Sequence, residues 1–80
     1  MVKLREFMEL AENQRYIELY DFDDVDYISR DLRRDSSKQE TYGDCTVVEV
    51  TTLIRGDRNG GAQSVLHVEV QKPEDFFEED

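Results

Sequence analysis

The chain carries few side chains that could act as nucleophiles or general bases. It has one histidine, His67, and one cysteine, Cys45. His67 alternates with Val65 and Glu69 in a run typical of a strand, where a histidine is usually packed or solvent-facing and not a catalytic base. Cys45 follows Asp44, whereas a reactive thiol needs cationic neighbours. These residues predict a protein that is not an enzyme.

The segment 21–26 is the strongest candidate for a metal site. A calcium loop starting at Asp21 would need an acid or amide at its fifth position, glycine at its sixth and glutamate at its twelfth, where the chain has Val25, Asp26 and Leu32. Weak divalent binding to clustered carboxylates stays open. One histidine and one cysteine cannot complete a structural zinc site. We therefore expect no metal site and no cofactor.

Acidic residues dominate the charge of the chain. There are 20 Asp and Glu against 10 Lys and Arg, which gives a net charge of −10. Segments 18–26 and 74–80 each hold five acids and no base, so together they account for the whole excess. A field of this sign repels nucleic-acid and membrane phosphates and attracts basic protein surfaces. The charge therefore predicts no direct nucleic-acid or membrane partner.

Aromatic residues are interleaved with the first acidic segment. Aromatic anchors surrounded by carboxylates suit a partner surface rich in arginine and lysine. The alternative is that the acids form a solvated face and only keep the protein soluble. The candidate partner-binding residues are Glu18, Tyr20, Asp21, Phe22, Asp23, Asp24 and Asp26.

Eighty residues correspond to one domain with a thin core. We expect the domain to span residues 1–73 and to be followed by an acidic, flexible tail over 74–80. A lone cysteine forms no intramolecular disulfide, and no apolar run approaches the length of a signal peptide or membrane span. The cytosol is the expected compartment, and homo-oligomerisation stays open because the core is small.

Hydrophobic periodicity predicts most of the secondary structure. Apolar residues at helical spacing indicate a helix over 3–12, and alternation indicates strands over 15–22, 46–55 and 63–71. The glycine-rich turn between the last two strands makes them a C-terminal β-hairpin. The fold class is therefore α+β, with an N-terminal helix packed on a three- or four-stranded antiparallel sheet.

The sequence pattern in the middle of the chain is compatible with more than one secondary structure. In residues 23–36, an aspartate cap followed by Val25, Ile28 and Leu32 at helical spacing favours a helix with the arginines outside. The alternative is a short strand around 25–29 that pairs with the first strand as a hairpin. Residues 36–43 are polar and indicate a loop.

The sequence also resembles small proteins encoded by phages and prophages. The resemblance is carried by an N-terminal helix with Leu4-Arg5-Glu6-Phe7-Met8, a strand with Ile17-Glu18-Leu19-Tyr20-Asp21, and a C-terminal hairpin with Leu66-His67-Val68-Glu69-Val70. The loop 36–43 and the acidic tail depart from the shorter versions. Phage genomes also supply acidic anti-CRISPR and anti-restriction proteins of this size, which inhibit host nucleases by mimicking DNA, and the resemblance suggests that class.

Two functions follow from the sequence. The first is a phage-type inhibitor that binds a basic, nucleic-acid-binding host protein, such as a CRISPR or restriction nuclease, through its acidic residues. The alternative is a non-catalytic structural or assembly protein that acts by homo-oligomerisation, through its exposed hairpin edge or its aromatic strand.

Overall fold

The computed structural model describes residues 1–56 and 58–76. It confirms the α+β class, the N-terminal helix, the first strand and the C-terminal hairpin. Among the described residues, no helix has the length and apolar character needed to cross a membrane. The elements are α1 (Leu4–Leu10), β1 (Ile17–Asp21), β2 (Asp26–Ser29), a 3-10 turn (Leu32–Arg34), α2 (Ser36–Tyr42), β3 (Thr46–Gly56) and β4 (Ala62–Gln71).

The four strands form one sheet in the order β2-β1-β4-β3. β1 and β2 are antiparallel, as are β3 and β4, but β1 and β4 run parallel, with Ile17 beside Leu66 and Leu19 beside Val68. The expectation of a wholly antiparallel sheet is therefore wrong. After the β1–β2 hairpin, the chain crosses to the far edge of the sheet and forms β3 there. β4 then lies between β3 and β1 and runs parallel to β1. Side-chain alternation predicts a strand but not the direction of its neighbour.

Residues 23–36 adopt the hairpin alternative, so the favoured helix is wrong. Asp21 holds the turn after β1, because its carboxylate accepts from the backbone N–H groups of Asp23 and Asp24 at 3.0 and 3.4 Å. The Tyr20 and Tyr27 rings then meet edge to face across β1 and β2, with centroids 5.0 Å apart. These contacts stabilise the hairpin in preference to the predicted helix, whose aspartate cap would come from the same acidic segment.

Residues 36–42 form helix α2, so the predicted loop is also wrong. The Asp35 side chain caps the helix by accepting from the Lys38 N–H, 3.2 Å away. The Gln39 amide donates to the carbonyl of Leu32 at 2.7 Å, and Tyr42 is buried in the core. The helix depends on a cap and one aromatic anchor, and it has no apolar stripe that periodicity would detect.

Arg33 joins the 3-10 turn to the end of α1. Its guanidinium donates to the carbonyls of Gln14, at 2.8 Å, and Ala11. Carbonyls at a helix C-terminus lack partners within the helix, and a cation there also suits the helix dipole. Arg33 is therefore a structural residue that holds α1 against the turn, and does not belong to an outer arginine face.

The core lies between the helices and one face of the sheet. Burial, with a further contribution from the charge of Asp21, raises the pKa of the Cys45 thiol to about 11, so Cys45 stays protonated and packs as an apolar side chain. The buried core residues are Leu4, Ile17, Leu19, Leu32, Tyr42, Cys45, Val68 and Val70.

The start of the acidic C-terminal segment packs on the domain. The Phe76 ring lies 5.1 Å from that of Tyr42 and contacts the core, and the Phe76 N–H donates to the Pro73 carbonyl at 3.0 Å. The rest of the predicted tail, residues 77–80, lies outside the described residues.

Candidate partner-binding surface

The turn between β1 and β2 presents carboxylates and apolar side chains together. We call residues 22–26 the acidic turn. Its three aspartates, Asp23, Asp24 and Asp26, are all exposed. Phe22 is 47% exposed and Val25 is 69% exposed between them. The turn therefore brings together most of the residues that the sequence predicts as a partner-binding surface.

Asp21 is buried beside this turn, supports its backbone and is not part of its exposed surface. It is only 3% exposed, and its second carboxylate oxygen lies 3.0 Å from the Lys72 ammonium. Burial alone would raise the pKa of Asp21. The hydrogen bonds from Lys72 and from two backbone N–H groups outweigh burial, so its pKa is below the usual value. Asp21 stays ionised and fixes the backbone of the acidic turn.

Val25 occupies a backbone conformation that β-branched residues rarely adopt. Its φ is 52°, in the left-handed region. The Tyr20 hydroxyl donates to the Val25 carbonyl at 2.9 Å, and the Val25 N–H donates to the Asp21 carbonyl at 2.9 Å. Both bonds hold a residue whose side chain is exposed and whose backbone is strained.

Glu18 is the buried centre of a charge network on the sheet face turned away from the helices. It is 4% exposed. Its carboxylate accepts from Arg55 Nη2 at 2.7 Å and Nε at 3.2 Å, and lies 2.7 Å from His67 Nδ1. Burial alone would raise the pKa of Glu18. The donors from Arg55 and His67 outweigh burial, so its pKa is below the usual value.

This network is connected to the acidic turn through two tyrosines. Arg55 Nη2 donates to the Tyr27 hydroxyl at 3.2 Å, and the Tyr20 ring lies 5.1 Å from the His67 ring. Tyr20 and Tyr27 flank the turn on β1 and β2. Glu18 and Tyr20 therefore support the turn: the Glu18 carboxylate is bonded to Arg55 and His67, and the Tyr20 hydroxyl to the Val25 carbonyl.

A pair of carboxyl groups lies on the same sheet face as Glu18. Glu49 of β3 and Glu69 of β4 are cross-strand neighbours. Partial burial and a hydrogen bond with Glu49 raise the pKa of Glu69 above its usual value. The sequence predicts this hairpin but not the register, with its bulge between Val47 and Glu49, that places the two residues opposite each other.

The described residues hold no cluster with the composition of a metal centre. In residues 1–56 and 58–76, no group of three or more His, Cys, Asp or Glu side chains is placed to hold an ion. Glu18 already accepts from Arg55 and His67, and Asp21 from Lys72 and backbone donors. The geometry therefore favours a structural role for these two carboxylates.

Comparison with known protein families, with curated proteins and with solved structures found no match to this chain.

Acidification is expected to destabilise the fold below about pH 4. Glu18 and Asp21 both have pKa values lowered in the folded protein. Their stabilisation is complete above the unfolded-state pKa and is lost as the pH falls through the folded-state pKa. Urea unfolding followed by circular dichroism from neutral pH down to about pH 3 measures the loss. A free energy of unfolding that stays constant over this range would contradict the prediction.

Proposed function

We propose that this protein is a non-catalytic binding protein that docks its acidic turn onto a basic surface of another protein. The contact residues are Phe22, Asp23, Asp24, Val25 and Asp26. Compared with the sequence-based surface, Val25 is added and three residues are left out. Glu18 and Asp21 are buried and paired, and the Tyr20 hydroxyl donates to the Val25 carbonyl.

The observation that carries this proposal is Val25. An exposed valine at φ 52° serves neither solubility nor stability, since asparagine or glycine fits this backbone with less strain. Strained residues that the surrounding structure holds in place concentrate at ligand-contacting sites. Fixed by Tyr20 and Asp21, Val25 presents a preorganised apolar contact in the middle of three carboxylates. This arrangement supports a contact role.

The charges define the chemistry of the partner. Asp23, Asp24 and Asp26 attract arginine and lysine side chains, and the net charge of −10 steers a basic protein towards the molecule. Basic surfaces of this kind commonly hold nucleic acid. Occupying one would block nucleic-acid access, and in this way the protein would inhibit a nuclease of the CRISPR or restriction type. Association is then fast and weakens as salt screens the charges.

The test compares two triple variants with the same change in net charge. Asp23→Asn/Asp24→Asn/Asp26→Asn neutralises the acidic turn, and Glu6→Gln/Glu9→Gln/Glu12→Gln neutralises three exposed acids in and just after α1. Each immobilised protein captures partners from a bacterial lysate, and mass spectrometry quantifies them. We expect a basic protein to be retained by the wild type and the helix variant, and depleted at least about tenfold by the turn variant.

Further measurements on the captured protein decide the mechanism. Binding should weaken with added salt, and duplex DNA should compete with the wild-type protein for it. Equal loss from both triple variants would show that only the overall charge acts, and full retention by both would show that these carboxylates do not hold the partner. Either result would overturn the assignment to the acidic turn.

A further inference from the structure

Strand β3 leaves one long edge of the sheet unpaired. β3 spans Thr46–Gly56, 11 residues, and is the last strand in the sheet order. Val2 and Lys3 cover its beginning, through a bridge from Lys3 to Thr46 and a hydrogen bond from the Val47 N–H to the Val2 carbonyl. From residue 48 to residue 56, no segment of the described chain pairs with the outer side of β3.

The ladder defines which backbone groups of β3 point outward. In β4, the Leu66 N–H donates to the Tyr16 carbonyl and the Val70 carbonyl accepts from the Phe22 N–H, both on the β1 side. The backbone N–H and C=O groups of the residues that alternate with these in β4 therefore point towards β3. Those residues, such as His67 and Glu69, lie opposite odd-numbered positions of β3. The N–H and C=O groups of Val50, Thr52 and Ile54 therefore point away from the sheet and are available to another strand.

Few features that block such an edge are present between Glu49 and Gly56, since the bulge of β3 lies at its start, between Val47 and Glu49. Segment 48–56 contains neither proline nor lysine. On the helix side of the sheet, Val50 is 42% exposed and Ile54 is 71% exposed. A long edge strand with open backbone groups and exposed β-branched side chains is a template for strand addition.

We propose that a second copy of this chain occupies the edge, with the two β3 strands antiparallel about a twofold axis at Thr52. In this register Val50 lies opposite the partner's Ile54, and Glu49 lies opposite the partner's Arg55. The outward N–H and C=O groups of Val50, Thr52 and Ile54 then fall in hydrogen-bonded pairs with those of the second copy. Because the axis is twofold, each residue pair away from Thr52 occurs twice.

Charge complementarity favours a second copy over an unrelated extended peptide. β3 carries one acid and one base between residues 48 and 56, Glu49 and Arg55, at equal distances from Thr52. In this register neither Glu49 nor Arg55 lies opposite a like charge of the second copy, and each Arg55 guanidinium keeps its bond to Glu18 of its own chain. On the helix side, the partner's Ile54 reaches an apolar groove of about 340 Å³ whose lining includes Met1, Val2, Phe7, Leu10, Val47, Val48 and Val50.

This assembly is independent of the proposed partner binding. The acidic turn lies next to β2 at the other edge of the sheet. A dimer through β3 therefore leaves both acidic turns exposed and presents them at the two ends of one continuous eight-stranded sheet, which has twice the four strands of each copy.

Sedimentation and light scattering over a range of protein concentrations test the dimer. Thr52→Pro removes an N–H that points outward and leaves the β3–β4 ladder intact, so the variant should fold yet dissociate at least about a hundredfold more readily than the wild type. Ile54→Lys should also weaken the dimer, whereas Val25→Lys, at similar exposure in the acidic turn, should not. Circular dichroism verifies that each variant is folded.

The wild type is expected to be a dimer at high micromolar concentration and in high salt. A monomer under these conditions would overturn the proposal. A dimer that persists in both folded edge variants would also overturn it, because the assembly would then use another surface.

Discussion

A Glu18→Ala variant is expected to lose about 3 kcal/mol of unfolding free energy. Glu18 is almost completely buried, and its carboxylate accepts from both Arg55 and His67. Removing it leaves the donors of Arg55 and His67 without an acceptor and opens a cavity on the sheet face that carries Tyr20 and Tyr27. Arg55 is partly exposed and can regain water, which keeps the loss below that of a fully buried pair.

Urea and thermal unfolding measure this loss. In a domain of this size, the expected change lowers the melting temperature by more than about 10 °C. Glu40→Ala removes an exposed glutamate from α2 and serves as the control, with an expected change within about 0.5 kcal/mol. A loss below about 1 kcal/mol for Glu18→Ala would mean that the network contributes little to the fold.

Replacing Val25 by asparagine is expected to have opposite effects on stability and binding. Asparagine adopts the left-handed conformation more readily than valine, so the free protein should gain about 1 kcal/mol of unfolding free energy. The same change removes the exposed apolar contact of the acidic turn. Affinity for the captured basic partner should therefore fall about tenfold.

Calorimetric titration and urea unfolding of the same preparations measure both effects. Val2→Asn, another exposed valine with no positive φ, should change neither quantity in this way. A Val25→Asn variant that is more stable and binds the partner as tightly as the wild type would show that the valine makes no contact.

The sequence allows the regular parts of the fold to be predicted, because they have strong periodic patterns. The stripe that includes Leu4 predicts α1, and the alternating residues of 46–55 and 63–71 predict the β3–β4 hairpin. The β1–β2 hairpin and helix α2 are short and depend on a few contacts, among them those from the Asp21 and Asp35 side chains to backbone N–H groups. Such caps compete with a helical pattern of apolar residues and cannot be ranked without tertiary partners.

The sequence indicates where the candidate site lies, but not which of its acids are exposed and which are buried. The concentration of acids and aromatics indicates the region after β1. Whether a carboxylate is exposed depends on partners far along the chain: Glu18 pairs with Arg55 and His67, 37 and 49 residues away. The strain at Val25 likewise arises from the turn geometry, and no residue pattern indicates it.

The role of the acidic turn is most directly tested by labelling carboxylates in the free protein and in its complex with the captured partner. Carbodiimide labelling, measured for each residue by mass spectrometry, reports which acids become protected. We predict protection of Asp23, Asp24 and Asp26, with the exposed acids Glu6, Glu9 and Glu12 labelled equally in both states. Unchanged labelling of the acidic turn, with protection elsewhere on the molecule, would contradict the account.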